Sequence, residues 1–178
     1  MTDADSDPPD FIADPSKLSP EDFADFMRAR FEATPLHGLL GIALEPLDDA
    51  NPQVVVAEMP VAPGAFNASG NLHGGAIATL IDVVAGTCAA RNSPGFSPGQ
   101  TTIVTADLHV RYLGRPKGAV VRATARVVRA GRQLTVIDCQ VTDELGNMIA
   151  VADFSSMVVP LRHPLPQATG GDHRHPDI

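Results

Sequence analysis

The stretch His73-Gly-Gly-Ala-Ile-Ala-Thr-Leu-Ile-Asp82-Val-Val-Ala-Gly-Thr-Cys88-Ala-Ala-Arg91 decides the fold. Between its two ends Asp82 is the only carboxylate or ammonium; all else is apolar, small or hydroxylic. The run predicts a helix from about His73 to Ala90 without a polar face, stopped at Asn92-Ser-Pro-Gly95. Such a helix is normally buried on all sides. An ionised carboxylate inside it is costly unless paired or hydrogen-bonded, so Asp82 is better explained by chemistry than by folding. The His-Gly-Gly start adds exposed N–H groups at a helix N-terminus, where a developing oxyanion is stabilised. Together these make half of an acyl-transfer site.

Four strand-like runs follow: Thr101–Tyr112, Ala119–Arg129, Gln133–Thr142 and Met148–Val159. The short turns between them, such as Ala130-Gly131 and Glu144-Leu-Gly-Asn147, predict antiparallel hairpins. Upstream, Leu39–Leu47 and Val54–Pro60 read as two strands joined at Asp48-Asp-Ala-Asn-Pro52. An apolar helix followed by an antiparallel meander predicts an α+β fold in which a curved sheet wraps around the helix.

An extra N-terminal amphipathic helix is expected over residues 20–35. Phe23, Phe26, Met27 and Phe31 lie on one face, behind a Ser19 cap, Pro20 and the acidic pair Glu21-Asp22. Residues 1–19 read as a disordered acidic arm, 36–160 as a single domain and 161–178 as a flexible tail.

The 178 residues carry a formal charge of −8, which argues against general nucleic-acid binding. No apolar run reaches the length that spans a bilayer, so no membrane partner is expected. The start MTDADSDPPD lacks the features of a signal peptide, so a cytoplasmic location is expected. Cys88 and Cys139 form no CxxC pair and read as reduced core thiols. There is no GxGxxG, P-loop or GxSxG, and no regular metal-ligand spacing, His163, His173 and His175 included. Neither cofactor nor metal is expected.

Asn67-Ala-Ser-Gly-Asn-Leu-His73-Gly-Gly75, with Asp82 nine positions after the histidine, resembles the hotdog-fold acyl-CoA thioesterases, most of all their phenylacetic-acid-pathway (PaaI-like) branch. The likeness extends to Thr105-Ala-Asp-Leu-His-Val-Arg-Tyr-Leu113 and to the hairpin Val141–Val151, and covers residues 36–159. It implies a cofactor-free hydrolase that splits acyl-CoA into free acid and CoA, built as a homodimer often paired again into a tetramer. In that scheme Asp82 acts as general base or nucleophile, and the Gly74 N–H polarises the thioester carbonyl. Asn67 orients the water or the carboxylate, His73 holds substrate or loop, and Thr105 stands near the catalytic carboxylate. Gly75, with Arg111, Arg115 and Lys117, falls to substrate and CoA binding. The run Arg111-Tyr-Leu-Gly-Arg115-Pro-Lys117 shifts the family's aromatic-Leu-Arg-Pro pattern by one residue. Which of its cations faces a ligand is left open.

Gly74 and Asp82 are eight residues apart on one helix, or about 12 Å at 1.5 Å per residue. Groups serving one carbonyl must lie within about 6 Å of each other. The site is therefore expected between two protomers, Gly74 from one and Asp82 from the other. The acyl group would then enter between the two central helices, with Ala76, Ala78, Gly86 and Ala89 leaving room or simply allowing close packing.

Plainer readings stand beside these. Asp82 as a loop cap, His-Gly-Gly as a tight turn, Asn67 as a loop former, Thr105 as strand packing and the basic run as a solvated loop are each consistent with sequence. Arg122, Arg126 and Arg129 read as solvent-side residues of a sheet. Two other activities compete: a non-catalytic acyl-CoA sensor or assembly subunit on the same fold, and a hydroxyacyl-thioester dehydratase.

Overall fold

The computed structural model describes residue 25 and residues 28–97 and 99–161. The expected arm, most of the amphipathic helix with its cap, and the tail from residue 162 lie outside the described residues. Residues 28–32 are helical, and Phe31 joins the hydrophobic core.

Helix α1 (Pro35–Leu40) comes next, with Pro35 in its first turn and Gly41 closing it in the left-handed conformation at φ 66. This corrects the expected strand Leu39–Leu47: only Ala43–Leu44 pairs, as β1. Proline at a helix start and glycine just past its end outweighed the apolar content. Gly41 is also required by space, because a Cβ there would meet Pro60 Cγ at 2.9 Å.

The remaining elements are β2 (Val54–Pro60), a 3₁₀ turn (Pro63–Ala65), α2 (Gly74–Asn92), β3 (Thr101–Tyr112), β4 (Val120–Ala130), β5 (Thr135–Asp143) and β6 (Met148–Pro160). They form one antiparallel sheet in the order β1-β2-β4-β5-β6-β3. Two of the expected hairpins, β4–β5 and β5–β6, are present. The third is not, because β3 pairs with β6 and occupies the sheet edge. The connection 113–119 contains Pro116 and two glycines and crosses to β4 instead of turning tightly.

Strict alternation sends Val55, Ala57, Met59, Val121, Ala123, Ala125, Ile137, Cys139 and Val141 to the concave face. The alanines among them, with Ala150 and Ala152 of β6, leave the depth in which α2 is seated. Arg122, Arg126 and Arg129 are exposed, as expected. Helix α2 buries Ala76, Ile77, Leu80, Ile81, Val84, Ala85, Cys88 and Ala89 against the sheet. That spacing is one face of a helix. Fully burying a side chain such as Leu80 or Ile81 contributes about 1.5–3 kcal/mol.

The opposite face, with Ala78, Thr79, Asp82, Val83, Gly86 and Thr87, is only half-buried. The expectation of burial on every side is thus corrected: within one chain, α2 is half covered. Ala76 and Ala89 face the sheet, so of the small residues expected between two helices only Ala78 and Gly86 lie on the uncovered face.

The bilayer-length expectation also changes. Helix α2 is 19 residues long, and with a mean hydropathy of 1.2 it is long and apolar enough to cross a membrane. A core helix clasped by a sheet has the same composition.

Candidate active site

The loop before α2 is built by Asn67. Its Oδ1 accepts from the N–H groups of Ser69 at 2.9 Å and Asn71 at 3.3 Å, and its own N–H donates to Asn71 O. An Asx-type turn of this kind fixes the chain without help from the rest of the protein. His73 then caps α2: Nδ1 accepts the Gly75 N–H at 2.9 Å. A nitrogen that accepts here leaves the ring proton on Nε2. His73 O takes the N–H groups of Ala76 and Ile77, and His73 N–H donates to Ala65 O. Gly74 N–H alone in this first turn has no acceptor among the described residues. It is therefore an open backbone donor at the positive end of a helix dipole.

Tyr112, at the end of β3, meets this turn. Its hydroxyl donates to Gly74 O at 2.9 Å, and a Cβ on Gly74 would lie 3.3 Å from Tyr112 Cζ. Tyr112 was not singled out from the sequence. Only its place in an aromatic-Leu pattern hinted at it. Gly75 has its N–H occupied by His73, and a Cβ there would meet the same ring nitrogen at 3.1 Å.

Asp82 lies half-buried on the uncovered face of α2, and Thr105 Oγ1 donates to its Oδ1 at 2.8 Å. The other carboxylate oxygen has no partner in the described chain. Thr105 and Tyr112 both reach α2 although they are seven residues apart, an odd number that would place them on opposite sides of a regular strand. A bulge resolves this. Thr105 pairs with Ser156 and Asp107 with Ser155, so Ala106 is the extra residue that turns the strand over.

The structure therefore joins Asp82 to Thr105, and Gly74 to Tyr112 and the His73 cap. It leaves Asn67 in its own loop, bonded to neither group. The basic run divides. Arg111 pairs with Asp153 at 3.1 Å on the sheet face away from α2, whereas Arg115 and Lys117 extend exposed side chains without a partner among the described residues.

Below them Asp143 accepts from the N–H groups of Lys117, Leu145 and Asn147 and from the Asn147 amide. The Lys117 bond foremost, then those from Asn147 and Leu145, outweigh desolvation and hold its carboxyl down at about 2. Cys88 and Cys139 are free and buried, and burial pushes their thiols up to about 11 and about 12. Among the described residues no three His, Cys, Asp or Glu side chains converge as metal ligands do.

A curved antiparallel sheet clasping one central helix defines the class of the hotdog folds. The pattern of the thioesterase superfamily matches residues 69–150. Acyl-coenzyme A thioesterase 13 of Homo sapiens is 34% identical over 109 residues, covering 58% of this chain and 72% of that protein. Two crystal structures share the fold. A mutant of thioesterase PA1618 from Pseudomonas aeruginosa has a TM-score of 0.68 at 26% identity, covering 82% of this chain and 98% of that one. The BH2602 protein from Bacillus halodurans, with CoA, has a TM-score of 0.65 at 30% identity, covering 78% and 89%. The chain belongs to the thioesterase superfamily.

Proposed function

We propose that this protein hydrolyses acyl-CoA thioesters at two equivalent sites, each shared by two protomers. The observation that carries the reading is the placement of Asp82: a carboxylate held by Thr105 on the face of α2 that its own chain leaves uncovered. The names of the human relative, and the CoA bound to the Bacillus halodurans protein, support the choice of substrate.

The dimer follows from two unfinished surfaces. Strand β3 spans Thr101–Tyr112 with one edge unpaired, an invitation to pair with another chain. Beside it lies the half-buried apolar face of α2. Pairing β3 with its symmetry mate brings the two α2 faces together and explains why the helix has no polar stripe. Asp82 of one protomer then approaches Gly74 of the other, as the separation of about 12 Å within one helix demands. A dimer of dimers is compatible with the same contacts. The two buried, unpaired thiols support a reducing, cytosolic setting.

In this site Thr105 occupies Oδ1 of Asp82 and leaves Oδ2 to draw a proton from water as the water attacks the carbonyl carbon. The Gly74 N–H receives the oxygen that becomes negative. Collapse of the tetrahedral intermediate breaks the carbon–sulfur bond, and the departing CoA sulfur takes up the proton. Direct attack by Asp82, followed by hydrolysis of the resulting anhydride, uses the same geometry. The acyl group lies between the paired helices, beside Ala78 and Gly86.

The test is release of CoA thiol from a panel of aromatic and aliphatic acyl-CoAs, wild type beside Asp82→Asn. Turnover that falls by about 10²–10⁴ in a folded variant supports the reading. Equal turnover in both proteins would make Asp82 structural. Saturable binding without turnover would make the protein an acyl-CoA sensor.

A further inference from the structure

We propose that Asp143 and Glu144 are positioning residues for coenzyme A, holding the β3–β4 connection so that Arg115 and Lys117 face the phosphates of the nucleotide. This rests on the acyl-CoA reading above and extends it to the half of the substrate that does no chemistry.

The connection 113–119 is fastened through its backbone to the β5–β6 hairpin, at the turn and at the start of β6. Leu113 and Gly114 donate to Ile149 O at 2.8 and 3.2 Å. Lys117 N–H donates to Asp143 Oδ2 at 3.0 Å, and Ala119 N–H to Glu144 Oε1 at 2.8 Å. The fit is close: a Cβ on Gly118 would lie 2.5 Å from Glu144 Cγ, and one on Gly114 would lie 2.9 Å from Met148 O. No side chain of the connection takes part in these bonds, so Arg115 and Lys117 are left pointing outward from a fixed backbone. Arg91, Arg111 and Arg122, by contrast, are each engaged in an ion pair.

The location suits the far end of CoA. Tyr112 touches Gly74, where the thioester carbonyl is expected. Arg115 and Lys117 follow three and five residues later, about 10–17 Å along an extended chain. The pantetheine arm sets the phosphates at a comparable remove from the carbonyl.

Two carboxylates beside an anion site are unfavourable by charge alone, so their presence needs another reason. Asp143 has both carboxylate oxygens taken by donors from the turn and from Lys117. Glu144 is not needed to close the turn, which Asp143 already ties to Leu145 and Asn147. Its carboxylate reaches across to Ala119 instead. Holding a recognition loop in place before binding removes an ordering cost that would otherwise fall on the complex.

The experiment compares Glu144→Ala and Glu144→Gln with wild type. It uses an acyl-CoA, the same acyl group on N-acetylcysteamine, and titration calorimetry with CoA alone. Losing the Ala119 bond should raise KM for acyl-CoA and the Kd of CoA about tenfold in Glu144→Ala. Little change is expected in kcat, or in hydrolysis of the N-acetylcysteamine thioester. Glu144→Gln, which keeps the acceptor and drops the charge, should bind CoA at least as well as wild type. If charge alone mattered, Glu144→Ala would bind CoA as tightly as wild type or more tightly, and the proposal would fall. A wild type that binds CoA without hydrolysing any thioester would remove the enzymatic reading yet leave the calorimetry decisive. A wild type that hydrolyses acyl-CoA no better than the N-acetylcysteamine thioester and does not bind CoA would remove the proposal and leave the hydrolase reading standing.

Discussion

The hydroxyl of Thr105 on β3 donates to Oδ1 of Asp82 on α2 across 2.8 Å, joining the edge strand of the sheet to the uncovered face of the helix. A hydrogen bond to a charged acceptor is worth about 1.5–3 kcal/mol, so Thr105→Ala should lower kcat about 10–100-fold. Thr105→Ser keeps the donor and should retain most of the activity. If serine and alanine behave alike in steady-state assays, Thr105 serves only to pack its strand.

Gly74, the proposed oxyanion donor, offers a clean substitution. It is the first residue of α2, and His73 before it sits at φ −66, ψ 135, a conformation that proline tolerates in its predecessor. Gly74→Pro therefore deletes the N–H while sparing the helix, needing only a small shift of the Tyr112 ring. Loss of an oxyanion donor should cost about 10²–10³ in kcat with the circular-dichroism spectrum intact. Tyr112→Phe, which removes the hydroxyl's bond to Gly74 O, should cost about 3–10-fold.

Mixing these defects tests the shared site. A hybrid dimer of Asp82→Asn and Gly74→Pro chains rebuilds one intact site from the good halves and leaves the other doubly broken. Random reassortment of equal amounts makes half the dimers hybrids, so activity should recover to about a quarter of wild type in a two-fold dimer. Hybrids verified by mass spectrometry that stay inactive would mean that Gly74 and Asp82 do not form one site across the dimer.

Asp143 predicts how the protein responds to acid. Its carboxyl is held at about 2 against an ordinary 3.8, so the folded form favours the ionised state. The stability this provides is complete above pH 3.8 and is lost as pH falls towards 2. Urea unfolding of wild type and Asp143→Asn should therefore show a gap in stability that narrows steadily through this window. A gap that does not change with pH would mean that the ionised carboxyl is not what holds the turn.

Much of this fold could be read from its residues because periodicity carried it. The apolar run gave α2 within a few residues of its ends, and alternation gave β2 to β6 nearly whole. Leu39 and Leu40 were misread because the Pro35 and Gly41 signals define a helix too short for periodicity to detect. The β3–β6 pairing is non-local, and no turn chemistry announces it. Asp82 was legible as a carboxylate out of place on an apolar helix and Thr105 only through the family resemblance, whereas Tyr112 was hidden because it bonds to a main-chain oxygen and its facing depends on a bulge.

The extra residue Ala106 makes β3 a strand of two halves whose sidedness is set independently. Excision of that one residue would keep the register with β6 and return β3 to regular pairing, with Thr105 and Tyr112, then six positions apart, still on one side. A single residue inserted and regularly paired between Leu108 and Arg111 would instead rotate the far half about the strand axis, turning Arg111 towards the start of α2 and Tyr112 away from it. An aromatic ring beside Gly74 would be exchanged for a cation by a single-codon insertion, with the core strands β4, β5 and β6 untouched. A change of one residue in strand length, more than a point substitution, is what can alter the face that β3 offers the helix.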